Sequence, residues 1–261
     1  AIDDIRVHSS KPFGVNLIVN KSNVKYKTQL DTCIEKKIDY IFTSLGNPKE
    51  CIDQCKPLGI KVFCDVTDLK YALKVEELGA DAVIAVNSVA GGHAGNITPE
   101  ELIPMLKKEL SIPIISAGGV SNSDDIKRMI DLGASAVSVG TIFIASEEAG
   151  VSDDYKNALV QYGEKDIVRT TKMSGSALTV INTPYVQTIG TEASFLEKLM
   201  HRNKWLKKYI KMFIAVRGLN KISNAANKAT YKTVWVAGPT IESIKAVEPL
   251  SVIIKRLVSG L

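Results

Sequence analysis

Apolar runs of four to eight residues alternate along this chain with stretches in which apolar positions recur every three or four residues. Runs of the first kind fall at 12–19, 40–45, 61–66, 82–86, 112–116 and 136–139, and each ends at or beside a glycine or a polar residue. Near-continuous apolar runs of this length read as strands of a parallel sheet covered on both faces. The second pattern predicts helices at 25–37, 49–58, 68–78, 99–110 and 123–132. Gly59 and Gly79 stand where left-handed helix ends are expected, and Ser123 is placed to cap the fifth helix. Gly46-Asn47-Pro48 stops the second strand. Leu78-Gly79-Ala80-Asp81-Ala82-Val83 is echoed by Leu132-Gly133-Ala134-Ser135-Ala136-Val137, so the strand–helix unit repeats.

Strand, loop, helix, glycine, strand at spacings of roughly 20–30 residues is the grammar of a parallel α/β sheet. Six strands are predicted, whereas a closed (β/α)8 barrel needs eight. An open doubly wound sheet and a TIM barrel lacking its first two βα units both fit this count. The opening residues 1–6 read as the tail of a helix, which favours the barrel with a missing N-terminal segment. The grammar changes after Phe143. Helix is expected at 155–162, extended or irregular chain at 166–173 and 177–182, and a long lysine-rich helical stretch at 195–227. A short extended piece at 231–239 and helices at 241–247 and 250–258 complete the chain, with Trp235 read as core. The expected organisation is a barrel portion at 1–150 and a mostly helical cap or lid at 151–261.

With 261 residues, 45% of them hydrophobic, the chain can build one sizeable core. Its net charge of +5 is modest and spread out, so nucleic acid is not an expected partner. The densest basic stretch, 202–211, reads as the solvated face of a helix. No apolar run reaches the roughly 18 residues of a membrane span, and no signal-peptide pattern is expected at the start. The four cysteines, Cys33, Cys51, Cys55 and Cys64, have no metal-ligand spacing and suit free thiols in a cytoplasmic protein. No metal is expected.

In parallel α/β folds chemistry sits at the carboxyl ends of the strands. The residues there are Asn16, Ser44, Asp65, Asn87, the loop from Gly91 to Gly95, Gly118-Gly119 and Gly140-Thr141. The last two pairs end consecutive strands, where backbone N–H groups and the Thr141 hydroxyl can ligate a phosphate; tight turns are the plainer explanation. His93, between glycines, has little to pack against and an ordinary pKa suited to a general base, although a lone histidine is more often structural. Asn16 can hydrogen-bond a cofactor ring or cap a turn. Asp65 is a weaker candidate, because an acid after a strand often caps the next helix.

Pro12-Phe13-Gly14-Val15-Asn16-Leu17, Gly91-Gly92-His93-Ala94-Gly95, Ala117-Gly118-Gly119-Val120 and Gly140-Thr141-Ile142-Phe143 together resemble the nitronate monooxygenase family, formerly called 2-nitropropane dioxygenases. The same landmarks are similar to those of the flavin-dependent enoyl-ACP reductases. The resemblance implies a TIM barrel with non-covalent FMN, its phosphate held by Gly118, Gly119, Gly140 and Thr141. Asn16 would lie near the isoalloxazine, with Asp65, Gly91 and Gly92 also counted in the cofactor site. His93 would be the catalytic base, or would polarise the substrate. The implied reaction oxidises alkyl nitronates with O2 to a carbonyl compound and nitrite. The alternatives are FMN- and NADH-dependent enoyl-ACP reduction and a flavin-free phosphate-binding barrel enzyme; a homo-oligomer is a further expectation. The family opens with a Gln-Gly-Gly-Met-like turn and a second glycine-rich βα unit, neither of which is seen here. A fragment, a second chain that completes the pocket, or poor FMN binding would each account for that.

Overall fold

The computed structural model describes residues 1–20, 23–171, 177–192 and 234–261. After helix α1 (Ile2–His8), six parallel strands are laid down: β1 (Gly14–Ile18), β2 (Tyr40–Ser44), β3 (Lys61–Val66), β4 (Ala82–Val86), β6 (Ile114–Ala117) and β7 (Ala136–Ser138). A two-residue strand, β5 (Gly92–His93), lies outside this sheet. The spatial order β1-β2-β3-β4-β6-β7 follows the chain without reversal. A doubly wound sheet requires a point where the order reverses, so this is the one-way winding of a barrel. Among the described residues, β1 and β7 are its two edges.

The crossovers are α2 (Tyr26–Glu35), α3 (Lys49–Cys55), α4 (Leu69–Glu77), α5 (Pro99–Glu109) and α6 (Ser123–Asp131). Alternate strand residues point to opposite faces. Leu17, Ile41, Val62, Val83 and Ile114 face outward onto Leu30, Ile52, Ala72 and Leu102 of the helices, and this is the main core. Their neighbours Phe42, Phe63, Ile84 and Ile115 face the concave side. Phe42 and Phe63 pack there with ring centroids 5.6 Å apart.

Local signals place most boundaries to within two residues. Gly59 takes φ 74° after a short 3-10 turn at Lys56–Leu58. One expected cap is corrected: Asn122, not Ser123, caps α6, its side chain accepting from Asp125 N at 3.0 Å. Asn122 has the extended backbone an N-cap requires, whereas Ser123 is already the first helical residue.

Beyond β7 come α7 (Thr141–Ile144) and α8 (Asp153–Gln161). The extended chain expected at 166–173 and 177–182 forms β8 (Ile167–Thr170) and β9 (Leu178–Ile181). These pair with β5 in a small antiparallel sheet ordered β5-β9-β8. After α9 (Pro184–Ile189), the helix expected at 195–227 and the basic stretch at 202–211 lie outside the described residues. Trp235 is core, stacked on Tyr155 at 5.7 Å. The helix expected at 241–247 is not formed. Pro239–Ser243 is a 3-10 turn, and Glu248 then runs extended, donating to Ala145 O and accepting from Glu147 N. Those pairings compete with helix for the same backbone groups. The final helix, α10 (Leu250–Val258), matches expectation and packs on α6 and α7.

Candidate functional site

Three polar side chains lie side by side on the concave face: Asn16 in the middle of β1, not at its end as expected, Ser44 at the end of β2 and Asp65 one residue before the end of β3. Parallel pairing sets Ile18 beside Ser44 and Thr43 beside Cys64, which brings Asn16, Ser44 and Asp65 within reach of one another. Ser44 Oγ lies 3.0 Å from Asn16 Oδ1 and 2.6 Å from Asp65 Oδ2. Asp65 opens onto the cavity but has protein on most sides. That crowding pushes its pKa up to about 6, against a smaller downward pull from the Ser44 hydroxyl. Asp65 does not cap α4, the plainer role for an acid after a strand; Asp68 does, accepting from Tyr71 N at 2.9 Å.

At the end of β4, fully buried Asn87 ties two loops together. Its Nδ2 donates to Gly118 O at 3.1 Å, and its Oδ1 accepts from Val89 N at 3.1 Å. The loop it steadies continues through Gly91 and Gly92 to His93. His93 is not loosely held between glycines, as the sequence suggests. It lies in β5, half-buried and opposite Leu178 of β9. Burial lowers its pKa below the ordinary histidine value, so the imidazole is neutral at neutral pH. Arg169 of β8 donates to Ala94 O at 3.1 Å and clamps the residue after it.

The loops after β6 and β7 carry the remaining candidates. Gly118 and Gly119 have φ 108° and 80°, a region L-residues rarely enter. A Cβ on Gly118 would stand 2.5 Å from Asn87 Oδ1, and one on Gly119 would stand 2.9 Å from Val89 Cγ2. Gly140 is different: a Cβ there would meet nothing within 4 Å. Thr141 Oγ1 accepts from Gly238 N at 3.1 Å, which leaves its own hydroxyl proton to donate elsewhere. A Cβ on Gly91 would stand 2.8 Å from Gly238 N, so the C-terminal segment closes over both loops.

All nine sequence-derived candidates, Asn16, Asp65, Gly91, Gly92, His93, Gly118, Gly119, Gly140 and Thr141, line one cavity of about 790 Å³. Its floor is apolar, built from Phe42, Phe63, Ile84 and Ile115. A neighbouring cavity of about 670 Å³ runs over Thr43, Pro48, Tyr71 and Lys74. The two share a wall of Leu45, Asp65, Val86 and His93. Leu45 holds φ 58° there; such strain in a non-glycine residue persists only where the surroundings impose it. Sequence reasoning named Ser44 and Asn87 as strand-end polar residues without giving either a role. It missed Arg169 and Gly238, which reach the site from far along the chain and carry no local signal. Among the described residues, no cluster of three or more His, Cys, Asp or Glu could hold a metal, and no helix is long and apolar enough to cross a membrane.

The profile of the nitronate monooxygenase family matches residues 21–260. A 5-hydroxy-7a-methyl-1-oxo-octahydro-1H-indene-4-carboxyl-CoA dehydrogenase of Rhodococcus jostii is 30% identical over 72% of this chain and 53% of that protein. A Staphylococcus aureus protein named probable nitronate monooxygenase is 31% identical over 62% of this chain and 49% of its own length. The chain thus spans about half the length of the curated relatives it matches. Among solved structures, FabK from Thermotoga maritima is 29% identical with TM-score 0.84, covering 99% of this chain and 78% of that one. A nitroalkane oxidase from Streptomyces ansochromogenes, 20% identical, shares the fold at TM-score 0.80 over 100% of this chain and 83% of that one.

Proposed function

The chain belongs to the nitronate monooxygenase family, and from that premise we propose that it is part of a flavin-dependent oxidoreductase that oxidises alkyl nitronates with O2 to a carbonyl compound and nitrite. The observation that carries this is the convergence of glycine loops from consecutive strands on the same cavity as His93.

The residues fit a flavin mononucleotide. Gly118 and Gly119 form a turn that side chains would fill, and Gly140 leaves open space in front of Thr141. In our reading these four hold the phosphate through backbone N–H groups and the Thr141 hydroxyl. The apolar floor of Phe42, Phe63, Ile84 and Ile115 suits a planar ring system, with Asn16 and Asp65 at its polar edge. A cavity of about 790 Å³ is within the usual range for a cofactor site. When bound, the flavin accepts the substrate's electrons and passes them to O2.

The remaining work falls to the chain's own side chains. Neutral His93 can take the α-proton of a nitroalkane, or donate a hydrogen bond to a nitronate that arrives already ionised. The β5–β9 pairing and the Arg169 clamp keep the imidazole on the shared wall of the two cavities. The second cavity, on the other side of that wall, is where we place the organic substrate. Four buried free thiols accord with a cytoplasmic protein.

A second reading, reduction of an enoyl thioester by NADH, draws on the Rhodococcus relative, whose substrate is a CoA ester, and on the likeness to FabK. The test begins with the absorbance spectrum of the purified protein, with and without added FMN. Flavin bands that persist through gel filtration, followed by nitronate-dependent O2 uptake and nitrite release, support the first reading. NADH oxidation driven by a crotonyl-type thioester replaces it with the second. A colourless protein that takes up no FMN removes both.

A further inference from the structure

Ser44 has one hydroxyl proton, yet its oxygen lies within hydrogen-bonding distance of two acceptors, Asn16 Oδ1 at 3.0 Å and Asp65 Oδ2 at 2.6 Å. One proton cannot serve both. Only two arrangements satisfy all three side chains. In the first, a protonated Asp65 donates to Ser44 Oγ, and Ser44 donates to Asn16 Oδ1. In the second, an ionised Asp65 accepts from Ser44, and the Asn16 amide turns over so that its Nδ2 donates to Ser44 Oγ. Each arrangement leaves the other half of the Asn16 amide to the cavity: the NH2 donor in the first, the carbonyl acceptor in the second. We propose that Asn16, Ser44 and Asp65 form a proton-linked relay in which the protonation of Asp65 sets whether Asn16 offers the cavity a donor or an acceptor. Ser44 and Asp65 are then positioning residues that act through Asn16.

The surroundings allow Asp65 to titrate within an ordinary pH range. Crowding by the surrounding protein raises its pKa to about 6, and among the described residues no cation is paired with it. Among the described residues, the titratable groups near it are few. The Cys64 thiol lies next in sequence but is buried on the opposite face of β3. His93 shares the cavity wall, and burial lowers its pKa below the ordinary histidine value. Asp68, Tyr71 and Lys74 line the second cavity beyond that wall. The ligand class follows from the amide. A heterocycle presenting an N–H edge to Asn16 is matched above the transition, and one presenting a carbonyl or an unprotonated ring nitrogen is matched below it. This deepens the cofactor reading above, because Asn16 is the residue placed at the ring.

The test is a pH titration of 13C,15N-labelled protein, without added ligand, from pH 5 to 7.5, following the Asn16 side-chain amide and the Asp65 carboxyl carbon by NMR. The expected result is an Asn16 signal that moves with the same midpoint as the Asp65 carboxyl carbon. In Asp65→Asn the movement is absent. In Ser44→Ala the carboxyl still titrates and the Asn16 signal no longer follows it. An Asn16 signal that stays flat in the wild-type protein while Asp65 titrates, or one that still follows Asp65 in Ser44→Ala, overturns the proposal. Failure to bind FMN would defeat the cofactor reading alone, since the amide titration needs no flavin.

Discussion

At the scale of single residues, the candidate site rests on groups whose chemistry depends on what surrounds them. His93 is neutral because it is buried, so its removal should cost proton transfer rather than cofactor affinity. In His93→Ala the flavin content should be unchanged and kcat with a nitroalkane should fall by about 10²–10⁴-fold; equal turnover would take His93 out of the mechanism. Gly119→Asp combines a φ of 80°, a contact of 2.9 Å to Val89 and a carboxylate where a phosphate is expected. Its FMN content should be near zero with the far-ultraviolet circular dichroism retained, and normal flavin content would refute the phosphate assignment. Asp65 titrates at about 6 in the folded chain against an ordinary value of 3.8. The folded state therefore holds a proton that the unfolded state has already lost, so stability falls as pH rises between those values. Thermal melts should show the wild type losing ground to Asp65→Asn from pH 4 to 6.5, and parallel curves would mean that Asp65 is not perturbed. The strand-end position of these residues was legible in the sequence. The Ser44 contacts were not, because they join residues 21 and 28 positions apart.

Among elements, the loops that follow the strands are held from outside the sheet. The Thr141 hydroxyl at the start of α7 accepts from Gly238 N, 97 positions away. Thr141→Val leaves that N–H without its acceptor, at a cost of about 1–3 kcal/mol. For a chain of this size each kcal/mol lowers Tm by roughly 2–4 °C. An unchanged Tm in scanning calorimetry would mean that the hydrogen bond is replaced by another. The six parallel strands and the helices between them followed from apolar periodicity, because each buries its apolar residues against its neighbour in sequence. The 3-10 turn at Pro239–Ser243 did not follow. The apolar residues at 241–247 suit a helix, but the backbone of Glu248 pairs with residues 145 and 147 instead. The two residues of β5 were also invisible, since a strand so short has no period and exists only because β9 lies beside it.

Over the whole molecule, the outward faces of the six strands and their helices form a core that takes in all four cysteines, each at most 2% exposed. The native protein should therefore resist a thiol-specific reagent and react at four sites only after unfolding. Fast reaction of any thiol in the native state would contradict this packing. Burial pushes the Cys64 thiol up to about 11, which also slows it. The sheet's concave face is the opposite case, apolar at its floor and open to a cavity at the strand ends. Periodicity alone establishes that this chain is a succession of βα units with glycines at the carboxyl ends of its strands, because strand and helix patterns are local and repeat. It leaves the winding undecided, since an open doubly wound sheet and a barrel share those units. The choice between them, and the meeting of His93, Asp65 and the glycine loops around one cavity, come from the order in which the strands pair. That order is a balance of contacts between residues far apart in the chain, and no single segment carries it.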